Sequence, residues 1–292
     1  MFSGVYTALV TPFKKGRLDE ASLKNLIELQ VKGGVDGIVP VGTTGESPTV
    51  DFEEHVRIIE LAVFYAKGRC KIIAGSGANS TEEAVYLTKS AEYAGADGSL
   101  QVSPYYNKPS QDGLYAHFSE IAKSTNLPIV LYSIPGRCNV EIALPTVARL
   151  AADFPNIVCI KEAGGDADRV SQLRAALPKN FSILSGDDAL TLPFMSVGAQ
   201  GVISVASNLV PKQLTKMVHS YLKGDLKAAL KVHEKYYPLF KDLFIETNPV
   251  PVKAAMAMKG LVNEEYRLPL VKLVPDNRRQ LRATLKATGV IK

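Results

Sequence analysis

Lys161 ends an apolar, strand-forming run, Ile157-Val158-Cys159-Ile160, and Glu162-Ala163-Gly164-Gly165 follows it. Such a run reads as a strand covered on both faces, as in a parallel sheet. Burial disfavours an ammonium, so a lysine placed there releases its proton more readily. Near neutral pH it then becomes an amine able to form a Schiff base with a carbonyl carbon. The plainer alternative is a lysine that reaches to solvent or pairs with Glu162.

Other groups could serve that chemistry. In Gly42-Thr43-Thr44-Gly45-Glu46 a tight turn can free backbone N–H groups for a carboxylate, while a threonine hydroxyl carries a proton. The same glycines could serve the turn alone. Tyr132 could shuttle protons or simply fill a core. Arg137, in the loop Ser133-Ile134-Pro135-Gly136-Arg137, could hold a substrate carboxylate bidentately or lie on the surface. Asp187 and Asp188 read as caps of the following helix rather than as acids. Cys159 should point the same way as Lys161, about 6.6 Å deeper, as filling.

The elements that must position these groups recur regularly. Eight short β-branched runs span 4–10, 37–41, 71–74, 98–102, 128–132, 157–161, 182–185 and 201–205. Stretches of helical periodicity lie between them. In the second of these, Val56, Ile59, Val63 and Ala66 fall on one face. Asp19, Ser80 or Thr81, and Ser110 are candidate N-caps, and Glu83 follows Ser80 at capping-box spacing. Eight alternating units predict a (β/α)8 barrel. An open doubly wound sheet would carry a glycine-rich turn after its first strand, and none is present. Residues 1–224 make up the barrel. Residues 225–292 read as a proline-punctuated helical appendage, with helices near 225–243, 250–260 and 275–288. Barrel sites form at the carboxyl ends of the strands, where the threonines, Tyr132, Lys161, Gly186 and Asp187 all fall.

Composition narrows the partners. The 292 residues are 46% hydrophobic and 22% charged, enough for one large barrel or two ordinary domains. No apolar run is long enough to span a membrane, and the N-terminus lacks the order of a secretory signal. Three cysteines without metal-like spacing suggest a reducing cytoplasm. The net charge of +5 is interspersed, and the basic C-terminal tail lacks interleaved aromatics, so nucleic acid is not expected. The histidines are scattered and no metal motif occurs, so neither a metal nor an organic cofactor is expected.

Taken together, TALVTPF, VGTTGES, AGSGANST, SPYYNKPSQDGLYAHF, LYSIPGR, IKEAGG, LSGDD and GVISVASN resemble the dihydrodipicolinate synthase family of pyruvate-dependent class I aldolases, over the whole chain. The resemblance implies condensation of pyruvate with L-aspartate 4-semialdehyde in the diaminopimelate route of lysine biosynthesis. Lys161 would form the Schiff base and Tyr132 would move its protons. Thr43 would link Tyr132 to Tyr106, supplied by a neighbouring subunit of a homotetramer built as a dimer of dimers. Thr43 and Thr44 would hold the pyruvate carboxylate, and Arg137 that of the semialdehyde. Gly186 and Ile203 would wall the pocket, Ile203 through its carbonyl. L-lysine would act as feedback inhibitor at Ser47, Pro48, His55, Asn79, Glu83 and Tyr105.

Two departures from the family pattern stand out. Ser133 and Cys138 differ from the usual substrate loop, which implies altered tuning with the arginine kept. Phe52 stands where a second histidine or a tryptophan is common in the lysine site. Two rivals remain at this point. One is another aldolase of the superfamily, such as N-acetylneuraminate lyase, which typically carries GSTGE. The other is a barrel without catalysis that acts as a binding protein.

Overall fold

The computed structural model describes residues 2–292. Eight parallel strands close into a barrel: β1 (Gly4–Ala8), β2 (Gly37–Val39), β3 (Lys71–Gly75), β4 (Gly98–Val102), β5 (Ile129–Ser133), β6 (Ile157–Glu162), β7 (Ser182–Ser185) and β8 (Gly201–Ser204). β1 pairs with both β2 and β8, which leaves the barrel without an edge. The strands match the apolar runs closely. Those expected to reach Val10 and Val41 stop at Ala8 and Val39, and Val41 already has a left-handed φ of 51°. The small hairpin pairing Phe13–Lys14 with Arg17–Leu18 is not foreseen, because two-residue strands carry no periodicity.

The outer layer is α1 (Glu20–Gly33), α2 (Phe52–Ala66), α3 (Thr81–Tyr93), α4 (Gln111–Lys123), α5 (Leu144–Asp153), α6 (Ala167–Ala176), α7 (Thr191–Ser196) and α8 (Pro211–Leu222). Asp19, Ser80 and Ser110 cap their helices by accepting the amides of Ser22, Glu83 and Gly113. In α2 the buried residues are His55, Ile58, Ile59, Leu61, Ala62 and Ala66. Val56 and Val63, expected on that face, lie at its half-buried edge. The face is turned by His55, whose Nε2 lies 2.8 Å from the Gly75 carbonyl oxygen.

Three further helices follow: α9 (Leu226–Asp242), α10 (Val250–Met258) and α11 (Pro275–Ala287). α9 packs along α8, and α11 along α9 and α10. α10 is buried from Val250 to Met256, against α11 and the turn that follows β8. Among the described residues, no helix is long and apolar enough to cross a membrane.

Candidate active site

The reach of Lys161 into the barrel depends on a register irregularity. Ile129 pairs with Ile157, but Val130 pairs with Cys159, so Val158 is an extra residue in β6. Without it, regular pairing would set Tyr132 opposite Ile160. With it, Tyr132 lies opposite Lys161. The Lys161 Nζ sits 4.0 Å from the centre of the Tyr132 ring. Successive strand residues face opposite ways, so Glu162 points into the helix layer. There its carboxylate accepts from Arg169 Nε at 2.9 Å and from the Gly164 amide at 2.7 Å. Lys161 is therefore not neutralised by its neighbour.

Lys161 is only 6% exposed. Burial lowers its ammonium to about 7, the Arg137 cation pushes the same way, and Asp188 opposes them. Half of the side chain is then a free amine at neutral pH. Burial drives the Tyr132 phenol up to about 12, against the Arg137 charge and a hydrogen bond with the Thr43 side chain. A protonated phenol thus lies against a nucleophilic amine, with a hydroxyl behind it. Gly186 supplies the space for the amine. A Cβ there would lie 2.6 Å from Ala163 Cβ and 3.1 Å from Lys161 Cε. Ile203, on β8, is buried in the same barrel.

The turn Thr43–Gly45 follows β2 as one short 3₁₀ stretch. Thr44 is buried, and its Oγ1 accepts from Asn248 Nδ2 at 3.0 Å. Arg137 lies on the single helical turn Pro135–Cys138. Its Nη2 donates to the Asn248 carbonyl at 3.0 Å. Asp188 departs from its expected place as a cap. Its carboxylate accepts from Ser204 Oγ at 2.5 Å and from the amides of Val205 and Ala206, tying β7 to the end of β8. Burial raises it to about 6. Asp187 keeps the local role, accepting from Ala189 and Leu190.

Glu46, in a left-handed conformation at φ 58°, closes the threonine turn. It is fully buried against the equally buried Lys253, Nζ to Oε1 2.5 Å, and its Oε2 accepts from the Arg267 amide at 3.1 Å. Lys253 also sits over the Phe13 ring, 4.4 Å from its centre. The segment beyond the barrel therefore reaches the strand-end rim at Thr44, Glu46 and Arg137, through Lys253 on α10 and Asn248 and Arg267 in its flanking connections. Local pattern could not pair residues 207 positions apart. The available signal was Lys253 itself, a lone charge in the apolar helix VPVKAAMAM.

A second cavity, of about 500 Å³, opens beside this rim. Ser47, Pro48, His55, Glu83 and Tyr105 line it, with Phe52. Asn79 stands one step back, its Nδ2 3.3 Å from the Tyr105 carbonyl oxygen. Burial lowers His55 to about 4, so its ring is neutral at pH 7. Ser47 and Gly77 also line the small barrel-mouth cavity that contains Thr43 and Tyr132, so the two spaces share a wall. Tyr106 joins neither. It is 91% exposed with a left-handed φ of 72°. Among the described residues, no group of three or more His, Cys, Asp or Glu side chains is gathered as a metal would require.

The profile of the dihydrodipicolinate synthetase family matches residues 1–288. The chain belongs to that family. It is 54% identical over 293 residues to the 4-hydroxy-tetrahydrodipicolinate synthase of Persephonella marina, with both chains fully covered. The corresponding enzyme structure from Methylacidiphilum fumariolicum SolV superposes with a TM-score of 0.98 at 58% identity, covering 99% of this chain and 96% of that one. The enzyme from Acinetobacter baumannii, solved with pyruvate, gives 0.97 at 43% identity with full coverage of both. That of Cyanidioschyzon merolae, solved with lysine bound, gives 0.96 at 41% identity and 99% coverage of each.

Proposed function

We propose that this chain catalyses the 4-hydroxy-tetrahydrodipicolinate synthase reaction, a lyase step of lysine biosynthesis that joins pyruvate to L-aspartate 4-semialdehyde. The observation that carries the reading is Lys161, a buried amine held near pKa 7 against Tyr132. It lies in a chain about half identical, over its full length, to synthases of that name. The neutral Lys161 Nζ attacks the pyruvate ketone and water leaves, giving a protonated imine. A methyl proton then departs, and the enamine attacks the aldehyde carbon. The substrate amine finally replaces Lys161 and closes the ring.

Tyr132 carries the protons of these steps, passing them to Thr43 and on to Tyr106 of a neighbouring subunit. The exposure of Tyr106 supports that sharing, and we assign the chain to a homotetramer of two tight dimers in the cytoplasm. Thr43 and Thr44 receive the pyruvate carboxylate and Arg137 that of the semialdehyde. Gly186 and Ile203 complete the wall. The barrel, residues 1–224, carries the reacting groups, and 225–292 brace them. L-lysine binds the cavity of Ser47, Pro48, His55, Asn79, Glu83 and Tyr105 as inhibitor. Borohydride reduction in the presence of pyruvate tests the first step: a mass increase on Lys161 is expected, and its absence overturns the reading. A coupled assay with the semialdehyde against N-acetylneuraminate separates this reaction from that of the sialate lyases.

A further inference from the structure

Asn248 is 5% exposed and touches both substrate-binding elements. Its main-chain carbonyl accepts from Arg137 and its Nδ2 donates to Thr44, yet no protein donor reaches its buried Oδ1. An acceptor without a donor is costly; Gln30 and Gln101 also leave one amide end unpaired, but they bond to Thr7 and to Ser76, Thr88 and Ser99, not to Thr44 or Arg137. The other buried acceptors at this rim are taken. Glu46 is bound by Lys253 and Arg267, Glu162 by Arg169 and Gly164, and Asp188 by Ser204 and two amides. Of these side-chain acceptors Asn248 Oδ1 is the one left without a protein donor, and its residue holds Arg137, the arginine assigned to the carboxylate of an amino acid. An amino acid carries its ammonium on the same carbon as that carboxylate.

Resting on the function proposed above, we infer that Asn248 is a substrate-binding and specificity residue whose Oδ1 accepts a hydrogen bond from the α-ammonium of the aldehyde substrate. The burial of Oδ1 does not set it apart, because Lys161, which substrate must also reach, is almost equally enclosed. The neutrality of the amide also fits the chemistry. In ring closure the substrate nitrogen bonds to the imine carbon and the bond from that carbon to Lys161 Nζ breaks. Two protons leave the substrate nitrogen and both end on Nζ, so the lysine departs as an ammonium and the ring keeps a protonated imine. A carboxylate at position 248 would hold the ammonium in its charged form and oppose that loss. An amide orients it without doing so.

Two substitutions, assayed at saturating pyruvate, test the assignment. Succinate semialdehyde, the same carbon chain without the ammonium, serves as competitor. Asn248→Ala is expected to raise KM for L-aspartate 4-semialdehyde 10- to 100-fold and to change the inhibition constant of succinate semialdehyde less than threefold. Asn248→Asp keeps the acceptor, so KM is expected to stay at or below the original value while kcat falls at least tenfold. Equal weakening of both aldehydes in the alanine variant overturns the assignment. So does an aspartate variant whose KM rises as alanine's does, the result expected if the free end of the amide is a donor to the carboxylate. Imine trapping separates the layers. If the unsubstituted enzyme forms no adduct with pyruvate, the function and this role fall together. If the adduct forms and the selectivity does not move, only the role of Asn248 falls.

Discussion

Replacing the lysine proposed as the nucleophile should make the protein more stable. Lys161 has a pKa of about 7 in the fold against an ordinary value of 10.5, chiefly because it is buried. Between those values the unfolded chain binds the proton and the folded one does not, so folding at pH 7 works against a gap of about 3.5 units. At about 1.36 kcal/mol per unit, and with half of the buried amine charged at pH 7, the cost is about 4 kcal/mol there. It falls to about 2 kcal/mol at pH 9 and about 1 kcal/mol at pH 10. Below pH 7 both states are protonated and the cost levels off near 5 kcal/mol. Lys161→Met has a similar volume and no charge, and should escape it. Denaturant unfolding of both proteins, at one protein concentration and at pH 7, 9 and 10, reads the difference. The methionine variant should be more stable at pH 7, and its advantage should shrink as pH rises. An advantage that is absent at pH 7, or constant with pH, would refute the view of Lys161 as a desolvated amine.

In the proposed reaction the same pKa governs the first chemical step. The rate of borohydride-trapped imine formation with pyruvate should level off above pH 8 and fall about tenfold per unit below pH 6; a rate still rising at pH 10 contradicts it. Lys253→Met strands the buried Glu46 carboxylate and should cost about 3–5 kcal/mol of stability, with part regained in the Lys253→Met, Glu46→Gln double variant; an unchanged unfolding midpoint would show the pair to be dispensable. Gly186→Ala puts a methyl group 3.1 Å from Lys161 Cε. Displacement of the amine should lower kcat/KM roughly 100-fold, and normal turnover would place the nucleophile elsewhere. L-lysine at millimolar concentration should inhibit, and Glu83→Gln should shift the titration at least tenfold. Full activity throughout argues against ligand binding in that cavity.

What could be read from residue order, and what could not, divides by distance along the chain. The eight strands, the order of helices and the caps at Asp19, Ser80 and Ser110 are local facts of periodicity and hydrogen-bonding type, and they were legible. The site depends on pairings that no local pattern contains. One is the extra residue Val158, which turns an ordinary β5–β6 register into one that sets Tyr132 against Lys161. Another is Glu46, readable as the end of a glycine turn but held by Lys253 and Arg267 more than 200 positions later. The stripe of α2 was read through Val56 and Val63, whereas the buried face includes His55, bonded to Gly75. Asp188 looked like a cap and instead ties two strands together.

These misreadings have a common physical origin. Val158 apart, each residue is polar, buried and bonded to a partner on another element, and low dielectric makes such pairs strong and their loss costly. The segment beyond the barrel supplies several of the partners: Asn248 and Arg267, in the connections on either side of α10, for Thr44, Arg137 and Glu46, and Lys253, on α10, for Glu46. A barrel can bring an amine near pKa 7 chiefly by burial, with the Arg137 cation pushing the same way. For the two carboxylates of the proposed reaction to be held at a fixed separation beside it, the threonine turn and the Arg137 turn must not move relative to each other. In this chain Asn248 is hydrogen-bonded to both of them. Changes around Asn248 should therefore alter which aldehyde is accepted before they alter whether pyruvate is captured.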